Sequence, residues 1–309
     1  MYQKAYGIIE TLAPLHVGAT AGEETGNLNL IFRDSFTRTG IIPGSSIRGR
    51  LRSEIYLSGE AGQKLAEDWY GRPAESQEKA IDFESRIKIE HASLLWLPVF
   101  SSGQPIVWVT CPRLLARYKR IAGNLTVTYK KNNKTVQESL KDVELPDPYT
   151  GSEHLKGKQM KPQGGGQEKE NKNQVLFFNL GFIKTEDIKD LSPWFPPLDE
   201  MFGYPKVKKL PALVVADKDM GMIHDMALYR QSRVALKPDQ KVVADRAFFN
   251  VEALPEGTIM VFPIGLKKDS QGNTLDWQPL GGKDGKEGDI CLGGLESVGF
   301  GHSYMTIKD

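Results

Sequence analysis

The stretch that most constrains the fold is residues 41–57, IIPGSSIRGRLRSEIYL, which places a turn, a helix start and three arginines close together. Pro43 and Gly44 end any preceding strand, and Ser45 or Ser46 can accept a backbone N–H hydrogen bond as the helix N-cap. Apolar residues then recur at every fourth position, namely Ile47, Leu51 and Ile55. This spacing predicts a helix over 45–57 that buries one apolar stripe.

The three arginines flank that stripe. Arg48 and Arg52 are four residues apart and lie together on one flank, whereas Arg50 lies on the other. Free N–H groups at a helix N-terminus bind phosphate readily. Basic residues in the first turn oppose the helix dipole, so a negatively charged ligand would remove that conflict. Two interpretations stay open here: a phosphate site, or an ordinary amphipathic helix with a solvated basic face.

Composition excludes a uniformly basic nucleic-acid binder. The chain has 309 residues, with 40 Lys and Arg against 39 Asp and Glu, so any nucleic-acid surface must come from local segregation of charge. Two cysteines, Cys111 and Cys291, argue against a disulfide scaffold and lack the spacing of a zinc site. No apolar run reaches the roughly 18 residues of a membrane span. We therefore expect no signal peptide, no membrane association and a cytoplasmic location.

Short apolar runs and amphipathic runs mix along the whole chain. The predicted strands cover 4–12, 86–100, 106–112, 175–183, 212–217, 242–254 and 258–266, and a hairpin covers 126–136. The predicted helices cover 45–57, about 60–71, 113–123 and 185–191. The mixture, interrupted by long insertions, indicates an α+β domain, for which a split βαββαβ arrangement is suitable.

Four segments have unusual composition. Residues 151–174 have almost no apolar side chains, which predicts a mobile loop, and the long 19–40 loop is typical of functional or mobile segments. The block at 212–250 clusters apolar residues that either join the core or form a protruding finger: Met220, Met222, Ile223 and Met226. Near the end, four glycines allow close approach of the backbone to another group: Gly293, Gly294, Gly299 and Gly301.

No common catalytic motif is present, since the chain lacks GxxxxGK[ST], HExxH and GxSxG. His16 has no second metal ligand nearby, so we interpret it as a packed or surface histidine rather than a ligand. Glu23, Glu24 and Asp34 either bind a divalent cation or are simply solvated.

Four ordered motifs resemble those of CRISPR-associated RAMP proteins. They are LHVGA at 15–19, GIIPGSSIRGRLR at 40–52, FFNVEALPEGT at 248–258 and LGGLESVGFG at 292–301. A further block, HASLLWLPVFSSGQPIVWVTCPRLLARY at 91–118, is more similar to the Cmr type than to the Csm type. The likeness is to the repeated backbone subunit of type III effector complexes.

The resemblance implies one domain over 1–309, a modified ferredoxin-like or RNA-recognition-motif palm. It also implies an inserted lid at 113–175 and a thumb-like insertion at 212–250. Guide RNA, target RNA and other RAMP subunits are the implied partners in antiviral defence. The implied RNA-binding residues are His16, Ser45, Ser46, Arg48, Arg50, Arg52, Gly293, Gly294, Gly299 and Gly301. In this family the thumb is implied to separate bases of the guide–target duplex, and the wedge in this chain would be Met220, Met222, Ile223 and Met226.

The resemblance also implies metal-dependent cleavage of target RNA by an aspartate in the loop after the first strand. Aligned on Arg33 and Asp34, that aspartate falls on Leu28, which cannot accept a proton or hold a cation. We therefore expect a subunit that does not cut and needs no cofactor. The alternative is an endonuclease that uses loop carboxylates with a divalent cation such as Mg²⁺. A third interpretation, guide-RNA processing, depends only on His302 and Tyr304.

Overall fold

The computed structural model describes residues 2–19, 28–71, 84–131, 134–159, 174–179, 181–198, 210–236, 243–281 and 283–309. The helices in these ranges are α1 Gly44–Tyr56, α2 Glu60–Tyr70, α3 Pro112–Ile121 and α4 Asp217–Ala227. The strands are β1 Tyr2–Thr11, β2 Leu28–Asn29, β3 Ile41–Ile42, β4 Ile87–Ile89, β5 Ala92–Ser101, β6 Gln104–Thr110, β7 Thr126–Lys131, β8 Lys134–Ser139, β9 Thr150–Ser152, β10 Lys158–Gln159, β11 Gln174–Phe178, β12 Gly181–Lys184, β13 Asp187–Lys189, β14 Ala212–Val214, β15 Tyr229–Leu236, β16 Val243–Ala253, β17 Ile259–Lys267, β18 Glu287–Cys291 and β19 His302–Lys308.

Strand β1 lies inside an eleven-stranded sheet and pairs antiparallel with β17 on one side and β19 on the other. The strand order is β13-β9-β14-β6-β5-β17-β1-β19-β18, and β3 and β4 pair with β5 and β17. The predicted α+β class is confirmed, and the arrangement is consistent with a ferredoxin-like palm. The sheet exceeds a four-stranded unit because further short strands, such as β9, β13 and β14, join it.

The side chains of β1 alternate between two cores. Ala5 and Ile9 face the core that contains α1 and α2, whereas Tyr6 and Ile8 face the core that contains α3. This is the period of two that a strand imposes. Helices therefore cover both faces of the central sheet, which explains why its strands are apolar at nearly every position.

Helix α1 begins one residue earlier than predicted, and its N-cap is Pro43 rather than Ser45 or Ser46. The Pro43 carbonyl oxygen accepts the N–H of Ser46 at 3.0 Å, which closes the first turn without a side-chain cap. A Cβ atom on Gly44 would lie 2.2 Å from the carbonyl oxygen of Ile89 in β4. Glycine at this position therefore allows the start of α1 to pack directly against β4.

The prediction of a helix over 185–191 is wrong, because this segment contains β13, which pairs parallel with β9. The N–H groups of Thr185 and Glu186 donate to the carbonyl oxygens of Gln174 and Tyr149 at 2.8 and 2.9 Å. Partners elsewhere in the chain thus satisfy the backbone groups that a helix would have paired locally.

The methionine-rich segment forms α4 instead of a finger. Met220 and Ile223 are 1% and 2% exposed and lie in a core with β5, β6 and β14. The prediction that these two side chains wedge into a duplex is therefore wrong, because they cannot reach a ligand without opening the core. After α4, β15 and β16 pair antiparallel as a hairpin.

Some predictions lie outside the described residues. Glu23 and Glu24 do so, as does most of the 151–174 segment, because residues 160–173 are not described. The division of the chain into palm, lid and thumb stays a prediction. Within the described ranges, no helix combines the length and apolar character needed to span a membrane.

Candidate nucleic-acid interface

Three of the motifs quoted above meet on one surface, which we call the convergent surface. It consists of residues 14–18, helix α1 and the glycine loop 292–301. The N–H groups of Gly294 and Gly301 donate to the carbonyl oxygens of His16 and Pro14, each at 2.9 Å. These backbone hydrogen bonds attach the glycine loop to the segment that follows β1.

The four glycines of this loop fall into two classes. A Cβ atom on Gly293 would lie 2.2 Å from the carbonyl oxygen of His16, and one on Gly301 would lie 2.3 Å from a carbonyl oxygen of the same loop. Both residues have positive φ angles, 78° and 88°. Gly294 and Gly299 are exposed and have no atom within 4 Å of such a Cβ. A Cβ atom on either residue of the first pair would collide with a carbonyl oxygen, whereas the second pair leaves backbone open to a ligand, although Gly299 also has a positive φ angle, 89°.

Arg50 connects α1 to the glycine loop. Its guanidinium lies 2.7 Å from the Glu54 carboxylate in the same helix and 2.9 Å from the Glu296 carboxylate in the loop. Arg50 therefore forms a direct contact between α1 and the glycine loop, both of which contain residues that the resemblance assigns to RNA binding. The two motifs are separated by more than two hundred residues in the chain.

The other two arginines differ from each other. Arg48 donates a hydrogen bond to the carbonyl oxygen of Tyr70 and lies 5.8 Å from the centre of its ring, so it holds α1 against the end of α2. Arg52 is half-buried, and unlike those of Arg48 and Arg50 its side chain forms no ion pair or hydrogen bond with a described residue. Arg52 is therefore the better candidate for an external anion. An RNA-binding role for either arginine stays a prediction.

His16 is a packed histidine. Its side chain is 8% exposed, and its Nδ1 lies 2.7 Å from the carbonyl oxygen of Glu252. A carbonyl only accepts, so the Nδ1 atom carries the proton. The contact of this residue with the glycine loop is made by its backbone, and contact of its ring with RNA stays a prediction.

Sequence reasoning missed an ionic cluster at the base of the hairpin. The Glu252 side chain is 3% exposed, and it accepts hydrogen bonds from Arg33 at 3.0 Å and from Arg230 at 3.1 Å. Arg33 also pairs with Asp225 of α4.

Strand β2, which carries position 28, pairs parallel with β16 of the hairpin. The loop after β1, α4 and the hairpin are therefore tied together. The pairs with Arg33 span about two hundred residues of chain, so no local pattern reveals them.

Charge within this cluster is well defined. The Nδ1 of His224, 3.7 Å away, and the pairing with Arg33 lower the pKa of Asp225 to about 2. Burial lowers the pKa of His224 itself, whose Nε2 accepts the N–H of Gly40 at 2.9 Å. At neutral pH the carboxylate is therefore charged and the imidazole is neutral.

Asp34, the aspartate nearest to position 28, stabilises a turn. Its Oδ1 accepts the N–H groups of Phe36 and Thr37 at 3.0 and 2.7 Å, and the Thr37 hydroxyl at 3.0 Å. Partial burial raises the pKa of Asp34, but these hydrogen bonds outweigh burial and hold it below its usual value. Within the described ranges, no three His, Cys, Asp or Glu side chains converge as metal ligands.

An open groove of about 1140 Å³ separates the 30–38 loop from α4. Met222 is 55% exposed and lines it together with the half-buried Met226. These two predicted wedge residues therefore reach the surface next to Asp34, and their contact with a duplex stays a prediction. His302, by contrast, lies on β19 with its Nε2 2.9 Å from the Asp289 carboxylate.

Comparisons with known proteins give one consistent family. A family model described as the RAMP superfamily matches residues 8–302. The CRISPR system Cmr endoribonuclease Cmr4 of Pyrococcus furiosus is 25% identical, with 99% of this chain and 96% of that protein covered.

Two solved structures share the fold. A cryo-EM structure of the type III-B Cmr-beta complex bound to cognate target RNA contains a chain with a TM-score of 0.64 and 18% identity, covering 99% of this chain and 97% of that one. The crystal structure of oligomeric Cmr4 from Pyrococcus furiosus has a TM-score of 0.60 and 18% identity, covering 100% and 99%.

Proposed function

This chain belongs to the RAMP superfamily, and we propose that it is a backbone subunit of a type III CRISPR effector complex of the Cmr type. In this role it holds guide RNA by the sugar–phosphate backbone and shapes the duplex of guide and target RNA in antiviral defence. Two relatives support the proposal: the Pyrococcus furiosus protein is a Cmr protein of a CRISPR system by name, and one structural relative belongs to a type III-B Cmr-beta structure bound to cognate target RNA.

The observation that carries the proposal is the convergent surface. Gly294 and Gly299 leave backbone uncovered, so a sugar–phosphate chain can approach closely there. Arg52 lies on the adjoining helix and supplies positive charge, whereas the charge of Arg50 is paired with Glu54 and Glu296. Contacts of this kind hold the backbone of a nucleic acid and do not read its bases, so binding is independent of guide sequence.

The ionic cluster supports the second part of the proposal. Glu252 ties the hairpin to the loop after β1 through Arg33, and β2 pairs with β16 of the same hairpin. A hairpin fixed in this way keeps one orientation relative to the convergent surface. It therefore distorts a bound duplex at a fixed distance from the guide backbone.

The proposed subunit does not cut target RNA. Position 28 is a leucine, which can act neither as a base nor as a metal ligand. Asp34 fits a metal ion poorly, because its Oδ1 already accepts three hydrogen bonds. The alternative, an endonuclease that uses loop carboxylates, is favoured by the relative from Pyrococcus furiosus, which is named an endoribonuclease.

The test of guide binding uses Arg52→Ala, with Arg86→Ala as the matched control. Arg86 pairs with Asp68 away from the glycine loop. In the assembled complex, Arg52→Ala is expected to weaken guide retention equally for unrelated guide sequences. The slope of log affinity against log salt should fall by about 0.7 for each lost phosphate contact. Guide retention equal to that of the control would refute the assignment of this surface.

The test of cutting uses target RNA labelled at one end and incubated with the complex and Mg²⁺. We expect no regularly spaced cleavage from the unaltered chain and the same result from Asp34→Ala. Regular cleavage that Asp34→Ala abolishes would establish the alternative.

A further inference from the structure

A basic groove lies on the face of the central sheet opposite to α1. It has a volume of about 720 Å³ and is bounded by the start of β1, the end of β19, the end of α3 and the turn that follows α3. Tyr6 of β1 belongs to the core that contains α3, and Tyr6 pairs with Lys308 across the β1–β19 ladder. Directly opposed residues of a ladder share a face, so this groove and the convergent surface lie on different sides of the sheet.

Five cationic side chains line the groove: Lys4, Lys119, Arg120, Lys141 and Lys308. Among them, Lys119 alone has a partner within the described residues, the carbonyl oxygen of Val143 at 2.7 Å. In the part of the chain that the structure describes, the other four form no ion pair. Asp309 is the only carboxylate residue lining the groove within that part, and its side chain pairs with Lys286.

This clustering is unusual for the chain as a whole, which carries a net charge of only +1. Most arginines elsewhere that contact other elements have a carboxylate partner, as Arg33, Arg50, Arg86 and Arg230 do. Basic residues at the end of α3 favour its helix dipole, which explains Lys119 and Arg120. The dipole of α3 does not explain why three lysines from other segments of the chain lie in the same groove, namely Lys4, Lys141 and Lys308. Like charges brought together repel, and an anionic ligand offsets that repulsion.

The residues that line the groove also indicate which kind of anion it can bind. Protein interfaces carry an apolar centre with large anchoring side chains. No residue that lines this groove belongs to the exposed large hydrophobic residues of the described chain, and its one aromatic side chain, Tyr6, is 7% exposed. The groove therefore offers no anchor for a protein partner and no ring on which a base can stack. What remains is recognition of phosphate by charge.

We propose that this groove binds the sugar–phosphate backbone of single-stranded RNA, as a second RNA contact separate from the convergent surface. Lys4, Arg120, Lys141 and Lys308 are its binding residues. Because they act as charges on flexible side chains, binding there is independent of sequence and steeply dependent on salt. The proposal does not depend on the assignment of the convergent surface.

The test is a fourfold neutralised variant, Lys4→Gln, Arg120→Gln, Lys141→Gln and Lys308→Gln, in the full chain. Its matched control removes the same charge elsewhere, through Lys64→Gln, Lys156→Gln, Lys218→Gln and Lys268→Gln. The probe is fluorescent oligouridine, whose affinity is measured by anisotropy over a series of salt concentrations. The groove variant should lower the slope of log affinity against log salt by about 2 to 3, and the control should leave the slope unchanged.

Equal slopes for the two variants would overturn the proposal. So would a groove variant that keeps its affinity for oligouridine but loses affinity for polyglutamate, since that result would identify an acidic protein segment as the ligand. Thermal melts confirm that both variants are folded. Arg52→Ala, measured in parallel for guide retention, reports on the convergent surface alone, so failure of one site is distinguishable from failure of the other.

Discussion

The convergent surface and the ionic cluster around Glu252 are stabilised in different ways. The convergent surface is held together by backbone hydrogen bonds and by close backbone packing at glycines such as Gly293, where a Cβ atom has no room. Side-chain charges that are partly removed from water hold the ionic cluster together, as in the pairs of Glu252 with Arg33 and Arg230. The stability of the convergent surface should therefore depend on close packing and change little when a charge is removed. The stability of the ionic cluster should fall when a single charge is lost.

The largest expected effect tests the shape of the convergent surface. Gly293→Ala should lower the free energy of unfolding by roughly 2–4 kcal/mol, because the new Cβ atom meets a carbonyl oxygen and the positive φ angle disfavours alanine. Gly294→Ala is the matched control and should change it by less than about 0.5 kcal/mol. Urea unfolding measures both. Equal losses would show that the glycine loop does not depend on its contact with His16.

The next effect tests the ionic cluster. Glu252→Gln should lower the free energy of unfolding by about 2 kcal/mol, because it removes the charged partner of Arg230 and leaves Arg33 with Asp225 alone, in a partly buried place. The loss is moderate since Arg33 and Arg230 are 26% and 50% exposed and can regain water. Combining Glu252→Gln with Arg33→Met should recover part of it. Strict additivity of the two changes would contradict the coupling described here.

A second buried carboxyl group, that of Glu10, differs from Glu252 in its hydrogen-bond partners. Glu10 is also 3% exposed, but its Oε2 has no partner, and burial together with Glu256 raises its pKa to about 7. The folded state thus binds the proton more tightly than the unfolded chain, whose value is near 4.5. The stability due to Glu10 is complete below pH 4.5 and is lost as the pH rises through 7.

Glu10→Gln cannot ionise and therefore avoids that loss. Well above pH 7 the variant should be more stable than the unaltered chain by roughly 2–3 kcal/mol, because each unit of the shift from 4.5 to about 7 contributes about 1.4 kcal/mol, and the difference should vanish near pH 4. Thermal unfolding across this pH range measures it. A difference that is constant with pH would mean that Glu10 does not titrate in the folded state.

The smallest effect is expected from the ion pair that crosses the convergent surface. A double-mutant cycle on Arg50→Met and Glu296→Gln should give a coupling of less than about 1 kcal/mol, because both side chains are a third or more exposed. High salt should reduce it further. A larger coupling would show that charge, as well as backbone bonding, holds the glycine loop against α1.

Much of the site was predictable because its parts are local. The GSS start of α1, the LHVG segment and the glycine loop are each short runs of characteristic residues, and the likeness to RAMP proteins of the Cmr type that they indicated is confirmed. The helix predicted at 185–191 was wrong because pairing with β9 overrode a weak local preference. The wedge predicted at Met220 and Ile223 was wrong because both face the core.

By itself, the sequence determined the α+β class, most helices and strands, and the absence of an aspartate at position 28. These depend on periodicity and residue identity, which are properties of neighbouring positions. Only the tertiary structure decided which glycines are open, that Arg48 is held by Tyr70 and that Glu252 joins two arginines. It also decided that four cations without an ion pair among the described residues meet in one groove. The physical reason is distance along the chain: burial and pairing of charge depend on residues far apart in sequence, whose proximity the packing of the sheet alone creates.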